Sequence, residues 1–320
     1  MPKTHKPRAG SLQYWPRKRA EKIVPSVNWY PLEKKHYDKK GLLGFIGYKA
    51  GNARIIASDL TADSLTKNKQ IILPVTILEV PSIKILSIRF YKNHNVFTEV
   101  LASDLDKELK RKIKLPKEKS RSINEIEKDL DQYDNIRVIV YTQVKKTGKK
   151  KAPDILEMGL GGTIKEKFDF AKNNLEKEIS FKDFFPSNQL IDTRAVTRGF
   201  GLTGPVARMG IALKSHKSEK GQRRPGNLAP WHPSRVTFRA PLAGQSGFFT
   251  RVQSNIKILD QGQADKLSLI FPHYGKIKTD YVLLRGSVQG PAKRAIVLTS
   301  PLRETKKIKK KNLEVIKIIP

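Results

Sequence analysis

Residues 193–257 read TRAVTRGFGLTGPVARMGIALKSHKSEKGQRRPGNLAPWHPSRVTFRAPLAGQSGFFTRVQSNIK. Twelve Lys or Arg stand in this stretch against one acid, Glu219. A β-type run, IDTRAVTR, leads in, and SRVTFRA reads as a second β-type run leading out. Between them, KSHKSEKGQRRPGNLAPWHP is polar, punctuated by Gly and Pro, and too poor in apolar side chains to bury a core. A segment of this kind is expected to be a loop that a partner orders. A single sign of charge with a Trp near its end suits a polyanion that offers faces for stacking, such as RNA. The stretch therefore predicts a β protein interrupted by a long cationic loop over 205–240.

The rest of the composition agrees with a polyanionic partner. The chain has 320 residues, enough to bury most of the surface of its unfolded state in one large domain or two. Its net charge is +33, far more than solubility requires, and self-repulsion of that size works against compactness. A basic excess this large points to nucleic acid rather than to a generically solvated surface or an anionic membrane. The sequence holds no run of 18 apolar residues, so no membrane span is expected. The opening MPKTHKPRAG has no apolar core of a secretion signal. Cysteine is absent, which excludes disulfides and cysteine-ligated zinc and is compatible with the cytosol.

Taken in order, residues 1–40 read as an extended basic arm, broken by Pro2, Pro7, Pro16, Pro25 and Pro31. Arg17, Lys18 and Arg19 form a basic triplet beside Tyr14 and Trp15. The arm is either a solvated tail or a tentacle whose rings stack on bases. From Gly41, short β-branched runs such as GFIGYKAG, QIILPVTILEV and SIKILSIRFYK alternate with turn residues. They predict antiparallel β-structure closed as a barrel or sandwich over 41–100 and 181–300. Near residue 101 the texture changes. SDLDKELKRKI predicts a helix capped by Ser103, SINEIEKDL one beginning at Ser122, and GTIKEKFDFAKNNLEKE one capped by Thr163 with Ile164, Phe168 and Leu175 near one face. NIRVIVYTQV is a strand between them, and VKKTGKKKAP a basic loop. Residues 101–180 thus read as an α+β insertion in a mainly β protein. Residues 301–320 read as a basic tail.

Few motifs carry chemistry. GFGLTG, residues 199–204, matches G-x-G-x-x-G after a β-type run, and Glu219 follows at the spacing of a ribose-binding acid. A dinucleotide fold requires a helix after the third glycine and a second parallel strand ending in the acid. Pro205 can start a helix, but Glu219 sits in KSHKSEKGQRR, which is no strand. The alternative is a tight turn or a close approach of backbone to phosphate. The six histidines have no metal-ligand spacing, and no pair of catalytic carboxylates stands out. Trp231-His232-Pro233 is flanked by Arg223, Arg224, Arg235 and Arg239. The Trp either packs locally or stacks on nucleotides while the guanidiniums take phosphates.

Several stretches together resemble one family. They are GSLQYWPRKRA, GFIGYKAG, IDTRAVTRGFGLTGPVARMG, KSHK, PWHP, APLAGQSGFFTR and RGSVQGPAKRAIVLTSP. Over nearly its whole length the chain resembles the universal L-three family of large-ribosomal-subunit proteins, in its archaeal and eukaryotic form. That resemblance implies a closed β-barrel of the translation-protein type. It implies an N-terminal arm and a central finger that enter ribosomal RNA, with the finger tip near the peptidyl-transferase centre, influencing aminoacyl-tRNA entry. It also implies early subunit assembly, neighbouring large-subunit proteins, a position near the elongation-factor site, and a cytoplasmic location in the ribosome. No catalytic residue, metal or other cofactor is implied. The RNA-facing residues expected on these grounds are Arg17, Lys18 and Arg19 in the arm, and Arg198 and Arg251 on either side of the finger. In the finger itself they are Arg208, Lys214, His216, Lys217, Lys220, Arg223, Arg224, Trp231, His232, Arg235 and Arg239. His216 stands where eukaryotic relatives can be methylated.

Overall fold

The computed structural model of the protein describes residues 10–116, 123–127, 129–266 and 269–319. Its contacts divide the chain into two units. One takes the residues up to Glu21 with Val196–Arg251, the other Lys22–Ala195 with Val252–Pro320. In chain order the strands are β1 (Gly41–Leu42), β2 (Gly44–Asp59), β3 (Gln70–Glu79), β4 (Ile83–Lys92), β5 (Asn95–Leu101), β6 (Asn135–Thr142), β7 (Ile155–Gly161) and β8 (Leu190–Val196). There follow β9 (Gly199–Thr203), β10 (Gly244–Gly247), β11 (Thr250–Gly262), β12 (Ile270–Phe271), β13 (Gly275–Lys276), β14 (Tyr281–Arg285), β15 (Ala295–Thr299) and β16 (Leu313–Ile319). The helices are α1 (Tyr30–Lys35), α2 (Ile123–Glu127), α3 (Ile164–Asn174), α4 (Pro205–Met209) and α5 (Lys306–Lys309). The protein is mainly β.

Two sheets build the larger unit. The first has the order β15-β8-β11-β14-β3-β2-β16, and β15 pairs with β2 as well. The second has the order β1-β7-β6-β4-β5. The register of β2 on β3 runs from Tyr48 opposite Glu79 to Ser58 opposite Gln70. Inward residues of both sheets, among them Phe45, Ile77, Ile88, Val138, Leu283 and Ile296, belong to one continuous buried cluster. Glu79, fully buried at the end of β3, accepts from the backbone N–H groups of Lys278 and Thr279 at 2.8 and 2.9 Å. It also accepts from the Thr279 hydroxyl at 3.0 Å and from the Tyr274 hydroxyl. One carboxylate so ties the 274–279 loop to the sheet.

The insertion begins earlier than the change of sequence texture indicates. β4 and β5, expected in the barrel core, belong to the second sheet and pair there with β6 and with each other. A period-2 pattern tells which face of a strand is buried, not which sheet it joins. The helix expected from Ser103 is instead a short 3₁₀ turn, Lys107–Arg111. The Asp106 carboxylate that precedes it is engaged elsewhere, accepting from Tyr141 and Gln143 on the β6 side at 2.8 and 2.5 Å. Ser122 lies outside the described residues, and α2 starts at Ile123. The third helix forms as its sequence predicts. Thr163 and Glu166 make a capping box, with the Thr163 N–H donating to the Glu166 carboxylate at 2.9 Å. Hydrogen bonding from Lys40, and then from Thr163, holds that carboxyl down to about 2.

Residues 22–40 are not the coreless arm read from the prolines. Trp29 and Leu32 are buried, and the Trp29 indole N–H donates to the Glu157 carbonyl at 2.8 Å. Glu33 on α1 receives Arg137 Nε and Nη2 at 2.8 and 3.2 Å and Asn135 Nδ2 at 2.8 Å. Glycine admits the indole, because a Cβ on Gly44 would lie 2.5 Å from the Trp29 ring. Pro31 stands in the first turn of α1, where its missing N–H costs nothing. The tail is not free either, since β16 pairs along β2 from Leu313 opposite Asp59 to Ile319 opposite Arg54.

Candidate nucleic-acid interface

The smaller unit is built on a two-stranded ribbon. β9 and β10 pair antiparallel, with Gly244 opposite Thr203 and Gln245 opposite Leu202. The N-terminal segment joins the end of this ribbon, where the Ala20 N–H donates to the Phe248 carbonyl at 2.9 Å. After Gly204, Pro205 opens α4, and Gly210 closes it with φ of 69° and its N–H on the Val206 carbonyl. SRVTFRA, read as an outgoing strand, forms no strand and runs through bends and a turn. Its Val236 and Phe238 are about half exposed, so no apolar face holds that segment in a ladder.

GFGLTG lies within this ribbon. β9 pairs antiparallel, α4 has five residues, and Glu219 sits in a turn region. No βαβ unit forms here; Gly201, with φ of 69°, stands within β9 where the ribbon register shifts between Ser246 and Gly247, a bulge that glycine accommodates.

Guanidinium groups lie on rings throughout the base of this unit. Arg17 stands 5.2 Å from the Trp15 ring and Arg19 5.3 Å from Phe248. Arg198 is 5.7 Å from Phe200, and Arg239 is 5.6 Å from Phe238. Arg251 is 5.0 Å from Tyr14 and 4.8 Å from Phe249. Trp15 meets Phe238 edge-on at 5.9 Å, which joins the N-terminal segment to the outgoing side of the loop. Stacking fixes the plane of a guanidinium while its N–H edge stays available for a phosphate. Sequence reasoning named these cations, and Tyr14 and Trp15 beside the basic triplet, but not the phenylalanine rings. The signal was the recurring Phe beside Arg, in 198–200, 238–239 and 248–251.

Arg208, expected to face RNA, is used within the chain. Its Nε donates to the Gln245 carbonyl and its Nη1 to the Leu242 carbonyl, both at 2.9 Å, while its own carbonyl accepts from Arg17 at 2.9 Å. Burial, with the like charge of Arg17, lowers its affinity for its proton. Arg208 thus braces the loop against β10.

Beyond α4 the loop is open. The Lys214 N–H donates to the Gln222 carbonyl at 3.1 Å, closing a turn that presents His216, Lys217 and Lys220 to solvent. Arg223, Arg224 and Arg235 are exposed as well, and among the described residues none of these cations has an acidic partner. Lys18 is paired with Glu21 at 3.1 Å on the open surface, a contact of little energetic weight. Trp231 is 86% exposed, with the His232 ring edge-on at 6.4 Å, so it does not pack into a protein core. No residue from 197 to 251 is buried.

The comparisons with known proteins cover nearly the whole chain. A family model for ribosomal protein L3 matches residues 1–319. The large ribosomal subunit protein uL3 of Methanobrevibacter smithii is 40% identical over 323 aligned positions, spanning 96% of this chain and 95% of that protein. The uL3 of Archaeoglobus fulgidus is 39% identical across 95% of this chain and 94% of its own length. That of Methanocaldococcus jannaschii is 40% identical across 93% and 92%.

Proposed function

This chain belongs to the ribosomal protein L3 family and is a structural protein of the large ribosomal subunit, and from that premise we propose how it holds ribosomal RNA. The N-terminal residues and the 197–251 segment lie in RNA. Ring-stacked arginines take phosphates, the open lysines and arginines of 214–239 add charge, and Trp231 offers a face to a base. One observation carries this reading. The 197–251 segment holds ten Lys or Arg against Glu219 and buries no residue at all. A segment without a core has no hydrophobic term to offset the entropy lost on ordering. Release of counterions from a polyanion supplies the missing free energy.

The finer role follows the family resemblance. The finger tip with Trp231 lies near the peptidyl-transferase centre, influences aminoacyl-tRNA accommodation, and so indirectly serves tRNA and elongation factors. Peptidyl transfer itself belongs to RNA, and this chain braces the site without catalytic residues. Early assembly beside other large-subunit proteins follows from its two RNA-seeking segments. The first sheet closes into a six-stranded barrel, a reading supported by the pairing of β15 with both β8 and β2. Its place is the cytoplasmic ribosome; no helix of the described residues is long and apolar enough to cross a membrane.

The test is fractionation of a native lysate on a sucrose gradient, probed for this chain. It should sediment with large subunits and stay there in high salt. Recovery at the top of the gradient, or in chromatin, would overturn the reading.

A further inference from the structure

The loop between β6 and β7, QVKKTGKKKAPD over 143–154, is a second concentration of charge away from the finger. It is rigid. Val144–Thr147 form a 3₁₀ turn closed by Gly148 at φ of 70°. Thr147 is fully buried; its hydroxyl donates to the Val144 carbonyl at 2.7 Å and accepts from the Lys149 N–H at 3.2 Å. Three of its lysines meet acids, two of them on other segments and one at the end of the loop itself. Lys145 meets Glu108 at 2.5 Å, Lys146 meets Glu178 at 2.5 Å, and Lys150 meets Asp154 at 2.6 Å.

These ties leave Lys149 and Lys151 without an acidic partner among the described residues, on a loop that cannot fold them away. Lys149 sits 5.4 Å from the Tyr274 ring, which orients its ammonium group. Arg111, also without an acidic partner, lines the same cleft as Lys149 and Lys151. It lines the adjoining cleft too, with Lys110, Lys112 and Lys114. Among the described residues, Glu108 is the one acid in the lining of either cleft, and Lys145 neutralises it. Among the described residues the linings contain no aromatic ring, and their apolar side chains, Ile113 and Leu115, are partly buried against the Leu86, Leu109, Ile139 and Tyr141 cluster. A protein partner needs apolar or aromatic anchors standing free on the surface, and stacking on single-stranded bases needs rings. Phosphate is what remains.

Resting on the reading of this chain as an RNA-binding ribosomal protein, we propose that Arg111, Lys149 and Lys151 form a second RNA site. It grips the phosphate backbone of a helical segment without contacting base faces, in contrast to the ring-rich finger.

The experiment measures binding of the full chain to protein-free large-subunit RNA across a salt series. Three proteins are compared: the wild type, Arg111→Ala/Lys149→Ala/Lys151→Ala, and Arg223→Ala/Arg224→Ala as a finger control. Loss of three phosphate contacts should make the log–log salt slope of the triple variant shallower by about 2–3, with an unchanged melting temperature. The single variant Lys151→Glu should move the slope the same way, which guards against misfolding of the triple variant. A base-paired RNA without loops should compete at this site. A triple-variant slope equal to that of the wild type sinks the proposal, as does a strip occupied by polyglutamate while the RNA slope stays put. If instead the wild type and the finger control both fail to bind RNA, the parent reading falls.

Discussion

Trp231 is the residue where packing and function part. With 86% of its surface exposed it stabilises nothing in the protein, so Trp231→Ala should leave the melting temperature unchanged. Loss of a base stack should cost roughly 1–3 kcal/mol of contact with RNA, read as altered peptidyl transfer or tRNA accommodation in assembled subunits. A lowered melting temperature with normal translation would make it an ordinary packing residue. Glu79 is the opposite case. Truncating it takes the acceptor away from the Lys278 and Thr279 N–H groups and from the Tyr274 hydroxyl. Glu79→Ala should lower stability by roughly 2–3 kcal/mol in denaturant melts, the cost of buried donors left unsatisfied. Lys39 makes stability depend on pH. Burial pulls its ammonium down to about 8 from 10.5, with the group 4.3 Å over the Phe185 ring. The unfolded chain keeps this proton up to about pH 10, so between pH 8 and 10 it binds more protons than the folded chain, and stability rises with pH there. Lys39→Met should therefore melt higher than wild type at pH 7, by a margin that shrinks toward pH 10.

At the scale of elements, the finger and the core are energetically separate. The 205–243 segment contributes no buried side chain, and its backbone bonds are local apart from those of Arg208 and the ribbon. Replacing 211–240 by a short Gly/Ser linker should change the melting temperature by less than about 2 °C, under 1 kcal/mol for a chain of this size. The same replacement should weaken RNA binding and make its salt dependence shallower. A drop of many degrees would show that the finger is part of the folding core. α1 behaves differently despite its short length. Through Trp29, Leu32 and the Glu33–Arg137 pair it is bound to the second sheet, and it belongs to the part that must fold.

For the whole molecule, charge dominates. A net charge of +33 opposes compaction of the free chain and favours any polyanion that neutralises it. With on the order of ten phosphates engaged, binding to ribosomal RNA should show a log–log salt slope steeper than about −5. A measured slope near −1 would remove the electrostatic account of binding.

Some of this was legible without coordinates. The cationic, apolar-poor stretch after GFGLTG announces a coreless loop because burial depends on composition, and composition is local. The same holds for the capping box at Thr163 and Glu166, which needs only two side chains three residues apart. What the chain order conceals depends on partners distant in sequence. Strand alternation records a buried face but not a neighbour, so β4 and β5 looked like barrel strands until β6 claimed them. Prolines at 25 and 31 suggested an arm, yet Trp29 found a glycine-lined seat on β2 and a carbonyl at Glu157. Arg208 looked like every other cation in its stretch, and only the approach of Gln245 and Leu242 turned its fork inward. The charge of a residue is written in its side chain, whereas the group that meets that charge is set by how the distant parts of the chain pack.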